Sequence, residues 1–156
     1  MPSTPAKAVH LAPDEGERLS VVTDRVRVLA DASTTGGACC IFDITSQPAA
    51  RPPLHRHNRD DEFFFVLSGR FRFVRDGVEI LAEPGSFVSC PRGSAHTFVC
   101  LGPAPGRLLV VTTPPGLEGP FREASDAAHA GASTPQALAA IFAKFDLEFL
   151  GPPLSV

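Results

Sequence analysis

His55-Arg56-His57-Asn58-Arg59-Asp60-Asp61-Glu62-Phe63-Phe64-Phe65-Val66-Leu67 is the stretch whose reading decides the fold. It holds two of the five histidines, one residue apart, and a glutamate five residues after the second. Alternate residues of a strand project from the same face, so His55 and His57 can aim at one point. Glu62 follows a short polar run and opens the most apolar segment of the chain. Two imidazoles and a carboxylate facing a hydrophobic interior point to a metal site inside a β structure.

Outward from that stretch, turn signals recur at close spacing. Ser68-Gly69 breaks the apolar run, and Arg70 to Arg75 alternates Phe71 and Phe73 with arginines. Asp76-Gly77 is a two-residue hairpin signal, and Val78 to Leu81 returns from it. Glu83-Pro84-Gly85 and Pro91-Arg92-Gly93 bracket a strand at Ser86 to Cys90. Further strands are expected at His96 to Leu101 and Arg107 to Thr113. Upstream, Leu19 to Val22, Val26 to Ala30 and Ala38 to Thr45 carry β-type residues, with Val9 to Leu11 a short docked strand. Asp31 to Gly37 reads as a turn-rich gap, and the three prolines between Ser46 and Pro53 make that segment a loop or an edge. Many short strands with turn punctuation argue for an all-β sandwich or barrel.

The pattern changes after Pro114-Pro115-Gly116. Phe121 to about Ala130 can form a short helix. Thr134 suits an N-cap and Pro135 the first helical position. Ala137, Leu138, Ile141, Phe142 and Phe145 then share one face, which packs on the barrel or closes its mouth. The tail, Leu147 to Pro153, is apolar enough to pack as well.

Composition sets bounds. The chain has 156 residues, enough for one domain with a core. A net charge of −3 and the lack of a Lys/Arg cluster give no support for nucleic-acid binding. No segment reads as a signal peptide or membrane span, so a cytoplasmic location is expected, with Cys39, Cys40, Cys90 and Cys100 reduced. The chain has 12 Phe but neither Trp nor Tyr, so an aromatic interior would be almost free of hydroxyls. Phe64, Phe71, Phe73, Phe87 and Phe98 are core positions, and some could line a pocket for an apolar ligand.

A third histidine completes the constellation. His96 opens a strand after Pro91-Arg92-Gly93, with Phe98 and Cys100 pointing the same way. If that strand lies near the one carrying His55, three imidazoles and Glu62 can surround one ion. Such a set suits a divalent transition metal: Fe, Mn, Ni, Zn or Cu. No thiol stands at ligand spacing, which argues against a structural cysteine-type zinc site. Either Asp60 or Asp61 could accept an N–H from a ligand histidine.

Two motifs give the chain a family resemblance. The first runs from His55 through His57 and Glu62 to Gly69; the second runs from Gly85 through Pro91 and Gly93 to His96. Fifteen residues separate Gly69 from Gly85. Together they resemble the cupin superfamily, and Pro52 to His57 with Asp61 to Phe64 is similar to quercetin-dioxygenase-type single-domain members. Two positions depart from the pattern: Ala49 stands where a glycine is usual, and Cys100 where an asparagine is usual. Neither removes a ligand.

The resemblance implies an all-β double-stranded β-helix (jelly roll) over residues 17–116. An N-terminal arm (1–16) precedes it, and a helical segment and tail (117–156) pack on it. It places His55, His57, Glu62 and His96 as ligands of one metal; Glu62 is a ligand, a catalytic base, or both in turn, and Phe64, Phe71, Phe73, Phe87, Phe98 and Cys100 are candidates to line the pocket. It implies a small-molecule substrate and a homodimer, while composition and charge give no sign of a nucleic-acid or membrane partner. The expected activity is that of a metal-dependent dioxygenase-type oxidoreductase on a small aromatic or enolisable substrate. The alternatives are an O2-independent isomerase, cyclase or lyase, and a non-catalytic small-molecule-binding protein.

Overall fold

A computed structural model describes residues 4–155; residues 1–3 of the expected arm and residue 156 lie outside it. The expected all-β fold forms. Two antiparallel sheets pack face to face in a jelly roll.

The first sheet begins with a hairpin, β1 (Glu17–Val21) and β2 (Asp24–Ala30), and continues to β3 (Cys40–Ser46). The second begins at β4 (Pro53–His57), after the proline-rich loop. From there the chain alternates between sheets. β5 (Asp61–Ser68) and β8 (Phe87–Cys90) join the first sheet. β6 (Arg70–Arg75), β7 (Val78–Ala82) and β9 (Ala95–Leu101) join the second. β10 (Gly106–Thr113) returns to the first. The six-stranded order is β1-β2-β3-β10-β5-β8. The other sheet has five strands, the last of them β11 (Leu147–Pro153), in the order β11-β4-β9-β6-β7.

Period-two patterning places the core between the sheets. On β5, Glu62, Phe64 and Val66 are buried, while Phe65 (41% exposed) and Leu67 (39%) face outward. The apolar run is therefore buried on one face only. Inside, Phe64, Phe71, Phe73 and Phe98 interlock, with Phe64–Phe73 centroids 5.1 Å apart and Phe73–Phe98 5.4 Å. Such tilted or edge-on ring pairs stabilise beyond their area. Gly69 is needed where it stands: its φ is +81°, and a Cβ there would lie 2.6 Å from Gly106 Cα.

Several expectations change. Val9 to Leu11 forms no strand: the backbone bonds on either side of it, Lys7 N–H to the Thr34 carbonyl and Glu15 N–H to the Ala12 carbonyl, belong to no ladder. The gap after Asp31 holds a one-turn helix, α1 (Ala32–Thr35), because the Asp31 carboxylate accepts from Ser33 and Thr34 N–H. The first C-terminal helix, α2, starts earlier than expected and runs Glu118–His129. The second, α3 (Pro135–Ala143), is capped by Thr134 as expected. The tail does more than pack: as β11 it pairs antiparallel with β4, Leu147 opposite His57 and Phe149 opposite His55. No helix among the described residues is long and apolar enough to cross a membrane.

Candidate metal centre

The site is assembled from both sheets. His55 and His57 alternate on β4 and are buried. β9 pairs with β4 so that His96 stands opposite His55, with ring centroids 4.4 Å apart. The residues 58–60 turn then carries the chain across to the first sheet, where Glu62 points inward from β5. One ligand atom from each of His55, His57, Glu62 and His96 lies within 4.8 Å of the others.

The outer nitrogen of each imidazole is tied back. Nδ1 of His55 lies 2.8 Å from the Pro53 carbonyl, Nδ1 of His57 3.0 Å from Asp60 Oδ2, and Nδ1 of His96 3.3 Å from the Ser94 carbonyl. An Nδ1–H facing an acceptor fixes the tautomer and leaves Nε2 for a metal. Two Nε2 atoms converge on one oxygen: His57 lies 3.1 Å and His96 2.9 Å from Glu62 Oε2. Of the two aspartates, Asp60 takes the supporting role. Asp61 instead binds Arg92, accepting from its Nη2 at 3.0 Å and its backbone N–H at 2.9 Å.

The electrostatics suit a cation. Burial opposes charge on His57, but the Glu62 and Asp60 carboxylates outweigh it and hold the imidazole up to about 10. Burial also opposes charge on Glu62, yet His57 and His96 keep its carboxyl well below the usual range. His55 is pushed down to about 3, first by burial and then by the charges of His96 and His57. Cys90, opposite Glu62 on β8, is pushed up to about 12 by burial and by that carboxylate, so it stays a neutral thiol. Three Nε2 donors, each supported from behind, and an inward carboxylate fit a divalent transition metal.

A largely apolar cavity adjoins the cluster, bordered by His55, His57 and Glu62. Of the expected lining, Phe64 and Phe98 border it. Phe71, Phe73 and Cys100 are buried elsewhere in the core, and Phe87 is 62% exposed on the outer face, stacked on Phe63. Much of the remaining wall comes from the C-terminal segment: Leu117 at the N-cap of α2, Phe121 within it, Phe142 of α3, and Leu147 and Phe149 of β11. The apolar helical stripe thus both packs on the sheets and closes the cavity. Asp24, which no sequence motif singles out, also borders it.

The two departures from the motif pattern meet. Ala49 holds the left-handed conformation that suits glycine, with φ 62°. Its N–H donates to the Cys100 carbonyl at 3.1 Å. Neither touches the metal cluster, and Cys100 does not reach the cavity.

Residues 42–112 match the family model described as Cupin domain. That match covers 71 of the 156 residues, and the jelly roll and the two motifs agree with it. Quercetin 2,3-dioxygenase of Bacillus subtilis is 29% identical over 84 residues, which is 54% of this chain but 25% of that protein. The matched segment thus spans about a quarter of that relative. Among solved structures, a cupin-superfamily sugar phosphate isomerase from Silicibacter pomeroyi is 27% identical, with a TM-score of 0.60 over 67% of this chain and 75% of that one. KdgF from Halomonas superposes with a TM-score of 0.63 at 19% identity, over 70% of this chain and 98% of that one.

Proposed function

We propose that the protein is a metal-dependent dioxygenase-type oxidoreductase acting on a small, aromatic or enolisable substrate. The observation that carries this reading is the cluster itself: three supported imidazoles and a buried carboxylate bordering an apolar cavity. In this reading His55, His57, Glu62 and His96 hold the metal. When bound, the metal would supply Lewis acidity to an enolate or phenolate oxygen of the substrate, with O2 as the oxidant. The chain's own residues do the rest. Phe64, Phe98, Phe121 and Phe142 exclude water and hold the substrate's apolar body. Glu62 accepts the substrate's hydroxyl proton as the one carboxylate of the cluster. The likeness to the quercetin dioxygenase supports this reading.

The likeness to the sugar phosphate isomerase supports a second reading, O2-independent isomerase, cyclase or lyase chemistry at the same ligands. The test is turnover of flavonols and β-diketones by Fe-, Mn-, Ni- and Cu-loaded protein, with and without oxygen. O2 uptake matching substrate loss is the expected result. Turnover that persists anaerobically favours the second reading, and tight ligand retention without any product would mark a binding protein.

We also propose that the protein is a homodimer built on the outer face of the first sheet. Phe63, Phe65, Leu67 and Phe87 lie there beside Leu109 and Val111 of β10, in register across β10, β5 and β8. Phe65 and Phe87 are 41% and 62% exposed, a cost that a second copy would remove. Light scattering should give about twice the 16.5 kDa chain mass, and the double variant Phe65→Asp/Phe87→Asp should give the single mass. A monomeric wild-type chain would sink the idea.

A further inference from the structure

The cavity has a second polar feature besides the metal cluster. Among the residues that border it, only Glu62 and Asp24 carry carboxyl groups, and the remainder are apolar apart from Thr23, His55 and His57. Asp24 opens β2 on the face that also carries Val26 into the core. Its neighbours Arg25 and Arg27 project from the opposite face, so β2 offers Asp24 no cation. Oδ1 of Asp24 accepts from the Ser46 hydroxyl at 2.8 Å, and Ser46 is fully buried. The other oxygen has no protein partner among the described residues.

The turn that delivers Asp24 is unusual too. Val22 has φ 56° and also borders the cavity. A β-branched residue in the left-handed region is strained. The wall opposite is the C-terminal roof, which presents Phe121, Phe142 and Phe149 and no charge. Tying Ser46 does not explain a carboxylate here, because an asparagine oxygen would accept the same hydrogen bond without burying a charge.

We propose that Asp24 is the second anchor of the ligand cavity, receiving a hydroxyl or protonated amine on a small apolar molecule whose other end lies at the metal cluster. The position of that other end rests on the metal-site reading above; the Asp24 contact does not. Burial pushes the Asp24 carboxyl up to about 6, as expected of a group held out of water without a cation beside it. At neutral pH it is an ionised acceptor with one open oxygen, and charge-assisted bonds of that kind discriminate strongly.

The test is a 19F NMR titration with three probes of one shape: 4-fluorobenzylamine, 4-fluorobenzyl alcohol and 4-fluorotoluene. Each is titrated into Zn2+-loaded protein and then into Mn2+-loaded protein. The amine is expected to bind about tenfold more tightly than 4-fluorotoluene at pH 7.5, with the alcohol between them. In Asp24→Asn, which keeps a Ser46 partner, the amine's advantage should shrink to about threefold or less, with 4-fluorotoluene affinity and metal content unchanged. Equal affinity of the three probes for the wild-type chain overturns the proposal without any variant. So does an amine preference that survives in Asp24→Asn. The manganese arm reports separately on the metal. Fluorine broadening places the ring's far end near the ion. Loss of the amine preference in Asp24→Asn without any broadening upholds the Asp24 anchor and removes the metal from the ligand site.

Discussion

Glu62→Gln is expected to lower divalent-metal affinity by at least about 100-fold while the jelly roll stays folded. Loss of a partner behind a ligand typically costs 10- to 100-fold, and loss of the ligand itself belongs at or beyond the upper end of that range. The amide keeps the shape of the side chain but not the charge on which the His57 and His96 Nε2 atoms converge. At a metal concentration 100 times the wild-type dissociation constant, binding stabilises the fold by about 2.7 kcal/mol. For a chain of this size that corresponds to roughly 5–10 °C in Tm. At the same concentration the variant would gain about 0.4 kcal/mol, or roughly 1 °C. Asp60→Asn should fall between the two, because it weakens the acceptor behind His57 and leaves the ligands in place. Thermal melts with and without Zn2+ or Mn2+ measure all three. A Glu62→Gln chain that gains as much from metal as the wild type would remove Glu62 from the ligand set.

Asp24→Asn should stabilise the protein at neutral pH by about 2 kcal/mol. The carboxyl's folded value, about 6, lies above its ordinary 3.8, so folding favours the protonated form. The sign follows from proton counting. Between about pH 4 and pH 6 the folded chain binds more protons than the unfolded chain, so stability falls as pH rises through that window. Below it the aspartate carries no penalty; above it the full penalty applies. At 1.36 kcal/mol per unit the shift corresponds to about 3 kcal/mol, reduced to about 2 because Asp24, though mostly shielded, is only half-buried as a residue. Urea melts of both chains at pH 4, 5, 6 and 7 should show curves that nearly coincide at pH 4 and separate by pH 7. A gap that does not change with pH would contradict it. A residue that destabilises the fold at neutral pH and yet borders the ligand cavity fits the general trade of stability for function.

Much of this molecule is written locally. Asp76-Gly77 demands positive φ at both residues, and the structure supplies it, φ 50° and 79°, between β6 and β7. The spacing of His55, His57 and Glu62 needs only a strand and a three-residue crossover. What local pattern could not show are the facts decided by partners far along the chain. Phe87 sits on a four-residue strand whose alternation fits either face; pairing with β5 opposite Phe65 turns it outward. Leu147 to Pro153 has the right composition to pack, but its place as a strand beside β4 depends on residues about 90 positions earlier. Asp24 looks like any polar residue at a hairpin. Only the helices and tail folded over the cavity shield it from most of the water.

One feature of the centre reaches beyond chemistry. The three imidazoles belong to one sheet and the carboxylate to the other. An ion held by all four would therefore be a strut between the two layers. Its bond lengths would set how far apart the layers stand at that end. A larger or smaller ion would open or pinch the gap beside it, and the ligand cavity lies in that gap. The choice of metal would then act as a gauge on the chamber's width, so that ionic radius, as well as Lewis acidity, helps decide which molecules the barrel admits.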